Sequence, residues 1–445
     1  MKDMNDRVGD FQFEHFHAGY SISNSRSVVI HGGDDGLAVV VRIMALLVSS
    51  GAVGGDSRGA STDGRTSSKP NADGIAYYNY LIDELINNGI TPFVTIFHWD
   101  LPQALEDDGG FLNDNIVNDF QNYADLCFAM FGDRVKNWIT VNEPWSYSVF
   151  GYAYGSFPPN RCSRGANREA VGFFVGRFAR FARDQECDAG DSGVEPYNVS
   201  HNLLLSHAAA VQLYRQKYQA AQKGQIGISL NTEWMVPYDE TSKKDQAAAD
   251  RALAFMFMEP LHNGTYPTQM VSHVKDRLPS FTEEQSELVK GSFDFIGLNY
   301  YTAAYAANTN CPDHRHKKPS YLTDSCVSIT KVKDGIPIGN ETGSDWLYIY
   351  PEGIRDTLLY TKKAYGNPAV YVTENGVSRR NPVENLTDSL RMYYHQQHLS
   401  MLQNLTRIDP SNVKGYFIWS LLDNFEWLDG YSVRFGIMYI DYNSL

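Results

Sequence analysis

The sequence is poor in several things, and each shortage excludes a class of protein. The opening residues, MKDMNDRVGDF, are polar and charged, so no secretory signal is read there. Long hydrophobic runs are missing too. The best, from Leu37 to Val53, is short and interrupted by Arg42, which argues against a membrane span. Basic residues are outnumbered, 38 Lys and Arg against 52 Asp and Glu, for a net charge of −14. A nucleic-acid partner needs a basic face, and this composition argues against one. The five cysteines (Cys127, Cys162, Cys187, Cys311, Cys326) show no metal-ligand spacing, and their odd number leaves at least one thiol unpaired within a monomer. The histidines in PDHRHKK (312–318) fit a surface loop better than a metal site. No internal repeat is found, and homo-oligomerisation is left open by the sequence.

Aromatic residues, by contrast, are plentiful: 28 Tyr, 23 Phe and 7 Trp. Core packing uses most such rings, and sugar-binding clefts also need flat apolar faces. Five N-x-S/T sequons, at Asn198, Asn263, Asn340, Asn385 and Asn404, fit a secreted glycoprotein. From about residue 74 the chain alternates between helical periodicity (75–89, 201–220, 391–405) and short apolar runs: 93–97, 135–141, 225–230, 293–298, 369–373 and 413–419. Such alternation predicts a parallel α/β fold, and the length suits one large domain.

Each run is followed by polar and aromatic residues: His98-Trp99-Asp100, Asn142-Glu143-Pro144, Asn231-Thr232-Glu233, Asn299-Tyr300-Tyr301, Glu374-Asn375-Gly376, and Trp419 through Glu426-Trp427. Helix capping explains one or two of these. Six such endings predict a (β/α)8 barrel, whose strand ends open together on the catalytic face. Glu143 and Glu374 each follow an apolar strand and sit beside an Asn. Burying a carboxylate is costly unless it is paired or hydrogen-bonded, so the placement points to use. Two carboxyl groups about 5–5.5 Å apart supply the proton and the nucleophile that retaining cleavage of a glycosidic bond requires. That chemistry needs neither metal nor cofactor.

The strings TVNEPW (140–145) and VTENGV (372–377) resemble the acid/base and nucleophile motifs of glycoside hydrolase family 1. FHWDLPQAL (97–105), GLNYYT (297–302), DWLYIYPEGI (345–354) and WSLLDNFEW (419–427) are similar to further motifs of that family, in the same order. The resemblance runs from about residue 71 to 442, with wording closest to plant β-glucosidases. It implies a TIM barrel that hydrolyses small β-glucosides or short oligosaccharides, with Glu143 as acid/base and Glu374 as nucleophile. It further implies that Asn142 binds the sugar 2-hydroxyl, that Tyr301 holds Glu374 with Asn299 nearby, and that His98 and Trp427 bind the 3-hydroxyl. Trp419 would stack on the sugar, Glu426 would accept from the 4- and 6-hydroxyls, and Trp346 would wall the aglycone site. Retention of Glu143 speaks against a thioglucosidase, and Glu426 would repel a sugar 6-phosphate. Cys162 and Cys187 resemble a disulfide of plant members, although the Arg-rich stretch between them is longer than usual. A vacuolar or extracellular location follows from the same resemblance.

The match fails at the ends. Family members begin with a barrel strand and a sugar-binding Gln that nothing here resembles. Of the second strand only GYSIS (19–23) is recognisable, with Gly19 in place of an Arg that supports the nucleophile. The expected division is an atypical, partly disordered segment over 1–70, with Gly- and Ser-rich residues 49–70, followed by the catalytic barrel over 71–445. A barrel lacking its first strand and last helix is expected to be poorly stable and nearly inactive. Two alternatives to hydrolysis are a transglucosidase and a catalytically impaired carbohydrate-binding relative.

Overall fold

The computed structural model describes strands within residues 20–48, then residues 70–164, 187–254, 256–311, 318–380, 387–409 and 411–442. The Gly- and Ser-rich segment up to residue 69, the Arg-rich stretch 165–186, the histidines of 312–317 and the last three residues lie outside this description, as do Gly19 and Ser23. The chain separates into two compact units, Met1–Ile43 and Met44–Leu445.

In the first unit β1 (Tyr20–Ile22), β2 (Ser27–His31) and β3 (Ala38–Arg42) form an antiparallel meander, with Tyr20 opposite Ile30 and Ser27 opposite Arg42. The expected use of GYSIS as a barrel strand is therefore corrected. Residues 28–30 and 39–41 are runs of β-branched residues that pair with each other, and Tyr20–Ile22 adds to that hairpin.

The second unit is built on a parallel sheet. Its strands are β4 (Met44–Val48), β5 (Thr91–Phe97), β6 (Asn137–Asn142), β7 (Gln225–Pro237), β8 (Phe295–Asn308), β10 (Val370–Glu374) and β11 (Val413–Tyr416). They lie in the order β11-β10-β8-β7-β6-β5-β4. β4 carries the uninterrupted apolar run MALLV, and Met44 pairs with Thr91. Among the described residues β4 and β11 each have one unpaired side, so the sheet curls into a partial (β/α)8 barrel without closing. β9 (Val327–Thr330) adds antiparallel to the distal part of β8, pairing Thr330 with Tyr305.

Helices follow the strands and cover the sheet. Among them are α1 (Ala72–Asn87), α2 (Ile116–Phe131), α3 (Pro144–Tyr152), α4 (Glu195–Leu213), α5 (Lys243–Ala254), α6 (Glu352–Tyr365) and α7 (Ser389–Ile408). The Asn71 side chain accepts from the Asp73 and Gly74 amides at the start of α1, satisfying donors the helix leaves open. α4 is buried along almost its whole length, which explains the apolar continuity of LLLSHAAAV. The main core joins α2 and α4 to the outer faces of β5–β8 through Phe97, Phe128, Trp138, Leu204, Ile226 and Ile296.

Candidate active site

The strand ends are irregular where the polar residues occur. Register shifts lie between Ile139 and Asn142 in the β6–β7 pairing, and between Val372 and Glu374 in the β10–β8 pairing. A bulge of this kind re-aims a side chain, here into the mouth of the barrel. Glu143 is left-handed (φ 43°), held by its amide donating to the Ser229 carbonyl at 2.8 Å, and Pro144 begins α3 directly after it. For a non-glycine residue that conformation costs about 1–3 kcal/mol and persists only where the surroundings fix it. Trp99 and Trp427 also have positive φ, at 77° and 44°.

These devices gather His98, Asn142, Glu143, Asn299, Tyr301, Trp346, Glu374, Trp419, Glu426 and Trp427 around one cavity of about 330 Å³. Every site residue expected from the sequence, the two disulfide cysteines apart, thus lines the same space. Asn299 is the hub. Its amide donates to Glu143 Oε1 at 2.9 Å and to Asn142 Oδ1 at 3.0 Å, and its oxygen accepts from Thr373 Oγ1 at 2.6 Å. Ser146 Oγ donates to Glu143 Oε2 at 2.6 Å, and the Tyr301 hydroxyl donates to Glu374 Oε2 at 2.7 Å. Asn142 Nδ2 lies 3.3 Å from His98 Nε2, and the Trp99 indole donates to the Asn142 carbonyl at 2.8 Å.

The aromatic residues form the walls. His98 stacks on Trp419 (centroids 6.0 Å) and on Trp427 (6.3 Å), and Trp427 also meets Trp99 at 4.6 Å. Trp346 packs edge-on against Tyr301 at 5.6 Å. Gly376 lies against the Trp419 carbonyl so closely that a Cβ there has no room, which keeps the segment after Glu374 tight against the Trp419 segment.

Burial dominates the electrostatics. It raises the Glu143 carboxyl above its ordinary range, against the hydrogen bonds from Ser146 and Asn299. It raises Glu374 well above that range, and the neighbouring Glu143 adds to the shift while Tyr301 opposes it. Glu426 is pushed up to about 8 by burial, with Asp429 and Glu143 adding to the effect and Trp419 opposing it. His98 falls to about 4 for the same reason and is neutral near pH 7. An acid and a nucleophile need their pKa values pushed apart; here burial raises both, Glu374 well above its ordinary range. Both carboxyls line the same cavity, where burial disfavours the charged form of each.

The segment carrying Trp419, Glu426 and Trp427 is tied down by a buried ion pair. Arg434 donates to Asp423 at 2.6 Å and to the Ile440 carbonyl at 2.8 Å, while Asp423 accepts from the Gly436 amide at 3.0 Å. Breaking a buried pair strands a charge and costs about 3–5 kcal/mol. Arg434→Met is therefore expected to lower the denaturant midpoint, with KM rising more than kcat falls; an unchanged midpoint in a urea titration contradicts this.

Cys162 and Cys187 are joined in a disulfide with Cα atoms 5.5 Å apart. A second bridge joins Cys311 and Cys326, and Cys127 is free and buried. Ser146 and Thr373 escape the sequence reading, and Trp99 enters it only as a strand-end residue without a role. Ser146 alone had a local signal, three residues after Glu143 at the start of a helix, where the two side chains share a face.

A family model described as glycosyl hydrolase family 1 matches residues 62–445. The chain is 53% identical over 389 residues to beta-glucosidase 24 of Oryza sativa subsp. japonica, covering 85% of this chain and 73% of that protein. It is 53% identical over 390 residues to raucaffricine-O-beta-D-glucosidase of Rauvolfia serpentina, covering 85% and 72%. A crystal structure of the rice Os3BGlu6 beta-glucosidase superposes with a TM-score of 0.79 at 42% identity, covering 86% of this chain and 77% of that one. The chain belongs to glycosyl hydrolase family 1, and retaining hydrolysis of β-glucosides is the activity that membership carries.

Proposed function

We propose that Glu143 is the acid/base and Glu374 the nucleophile of a double displacement on an unphosphorylated O-glucoside. The carrying observation is the hydrogen-bond set in which Tyr301 holds one Glu374 oxygen while Asn299 and Ser146 hold both oxygens of Glu143. Glu374 Oε1 is buried and, among the described residues, makes no hydrogen bond of normal geometry, as a nucleophilic oxygen facing a substrate carbon is left. Glu143, by contrast, is fixed at both oxygens, positioned for a proton to pass to the leaving oxygen. The carboxyls titrate as one coupled pair, and the working form carries a single proton, on Glu143.

The same reading assigns the remaining positions. Asn142, held by Asn299, meets the 2-hydroxyl, where a hydrogen bond strengthens as positive charge develops on the sugar ring. His98 and Trp427 bind the 3-hydroxyl, and Trp419 stacks on the sugar. Glu426 accepts from the 4- and 6-hydroxyls and repels a phosphate at the latter. Trp346 borders the leaving group. Two disulfides and the exposed sequon residues Asn263, Asn340 and Asn404 support a glycoprotein of the secretory pathway, vacuolar or extracellular. No helix among the described residues is long and apolar enough to cross a membrane.

Tyr301→Phe tests the pairing of roles. The hydroxyl stabilises the Glu374 anion, so its loss raises the Glu374 pKa. The acidic limb of the kcat/KM profile then moves to higher pH by about one unit, and kcat falls roughly 10- to 100-fold, the worth of a hydrogen bond to a charged group. A lower kcat with an unmoved acidic limb contradicts the assignment of Glu374 as the group that must be ionised.

A further inference from the structure

One wall of the cavity carries a charged pair that the reaction does not use. In the β7–β8 ladder Thr232 stands opposite Tyr300 and Trp234 opposite Ala303. Glu233 therefore faces two residues, Tyr301 and Thr302, at a bulge of the kind that turns side chains out of a ladder. Glu233 and Lys331 both line the cavity, and the Lys331 ammonium contacts Glu233 Oε1. Lys331 follows β9 directly. Its side chain is buried (7% exposed) and also donates to the Ala303 carbonyl at 3.0 Å, while its own carbonyl accepts from Ile338. Burial pulls the Lys331 ammonium well below the ordinary lysine range.

The surroundings of the pair are apolar. Met235, Leu253, Phe257, Leu322 and Ile329 line the same cavity, Met235 coming from β7 and Ile329 from β9, close in sequence to Glu233 and Lys331, whereas His98, Trp419 and Glu426 sit on other strand ends. Glu233 lines the cavity and keeps 27% of its side chain exposed. Lys331 is the one lysine or arginine among the described residues of the lining, against Glu143, Glu233, Glu374, Glu426 and Asp429. The lining thus disfavours an anionic guest. An apolar wall with one fixed acceptor fits a leaving group with an apolar body and one hydrogen-bond donor.

We propose that Glu233, anchored by Lys331 at the β7–β8 bulge, receives a hydroxyl or ammonium group of the aglycone and sets the preference of the enzyme for such leaving groups. The proposal rests on the β-glucosidase reading above. Glu233 is the specificity-determining residue. Lys331 is a positioning residue that acts through it.

The test uses four aryl β-glucosides with para-ethyl, para-hydroxyethyl, para-aminoethyl and para-carboxyethyl substituents, whose phenolate leaving groups are closely matched. The donor-bearing hydroxyethyl and aminoethyl compounds should exceed the ethyl compound in kcat/KM by about tenfold, and the carboxyethyl compound should fall below it. Glu233→Ala should bring the donor-to-ethyl ratio near one. Lys331→Met should reduce it, and Lys331→Arg should recover part of it; a merely structural lysine lowers all four substrates together and leaves the ratio alone. A ratio equal in the parent and in Glu233→Ala overturns the proposal, and so does cellobiose outrunning all four glucosides. Dissociation constants of the same compounds with the Glu374→Gln variant read the preference without turnover. Equal constants overturn the proposal, whereas a preserved preference beside an unmodified chain that turns over none of them overturns the glucosidase reading alone.

Discussion

Glu374→Gly should lose at least about 10⁴-fold in kcat on every β-glucoside, activated or not, because removing a nucleophile that acts as one unit with its partners leaves only binding and residual electrostatics. The geometry gives this loss a sharp signature. Glu374 is buried at the end of β10, and its Oε2 takes the Tyr301 hydroxyl at 2.7 Å. The small residue leaves space at the anomeric face while Glu143 stays held by Asn299 and Ser146. External azide or formate should therefore restore turnover with inversion, from the face that Glu374 vacates. A glucoside with fluorine in place of the hydroxyl beside the anomeric carbon should label the parent on the peptide containing Glu374 and leave the variant unlabelled. A label found on any other carboxylate, by mass spectrometry of the digest, contradicts the assignment.

Glu143→Ala should separate substrates by their leaving groups. For an alkyl or simple phenyl glucoside the departing oxygen needs a proton, and losing a positioned general acid costs roughly 10²–10⁴-fold in kcat/KM. A dinitrophenyl glucoside leaves as a stable anion, so its glycosylation step should stay within about tenfold of the parent. Its kcat should fall, since the second step loses its base, and azide should raise it by forming β-glucosyl azide. The pH dependence of kcat/KM should also lose its alkaline limb, which in the parent reports deprotonation of Glu143. Because Glu143 is protonated and neutral when Glu374 ionises, its loss removes no charge at that step, and the acidic limb should stay near its parent position. Equal slowing of activated and natural substrates, measured by pre-steady-state release of the phenol, contradicts the acid/base role.

The alternation of apolar runs and helical periods was legible because a strand covered on both faces must be apolar along its length. The runs at 93–97 and 369–373 match β5 and β10 to within two residues at either end. Reading those runs as ending at 230 and 298 was misleading for a definite reason. β7 and β8 continue to Pro237 and Asn308 through the polar site residues, since backbone pairing does not depend on polarity. Glu143 and Glu374 were legible as candidates because a Glu placed beside an Asn at the end of an apolar strand is costly to bury unless its carboxylate is held, and hydrogen bonds hold both. β4 was not. MALLV sits inside a longer apolar stretch, and only its pairing with β5 distinguishes it from the neighbouring hairpin. The Cys311–Cys326 bridge and the Glu233–Lys331 pair join residues of different elements, a proximity that local spacing does not encode.

The measurement closest to the central claim is the anomeric configuration of the first glucose released from an aryl β-glucoside, followed by proton NMR before mutarotation. Two displacements, by Glu374 and then by water activated by Glu143, predict the β-anomer first. Release of α-glucose as the first product contradicts the account, because it requires a single displacement by water.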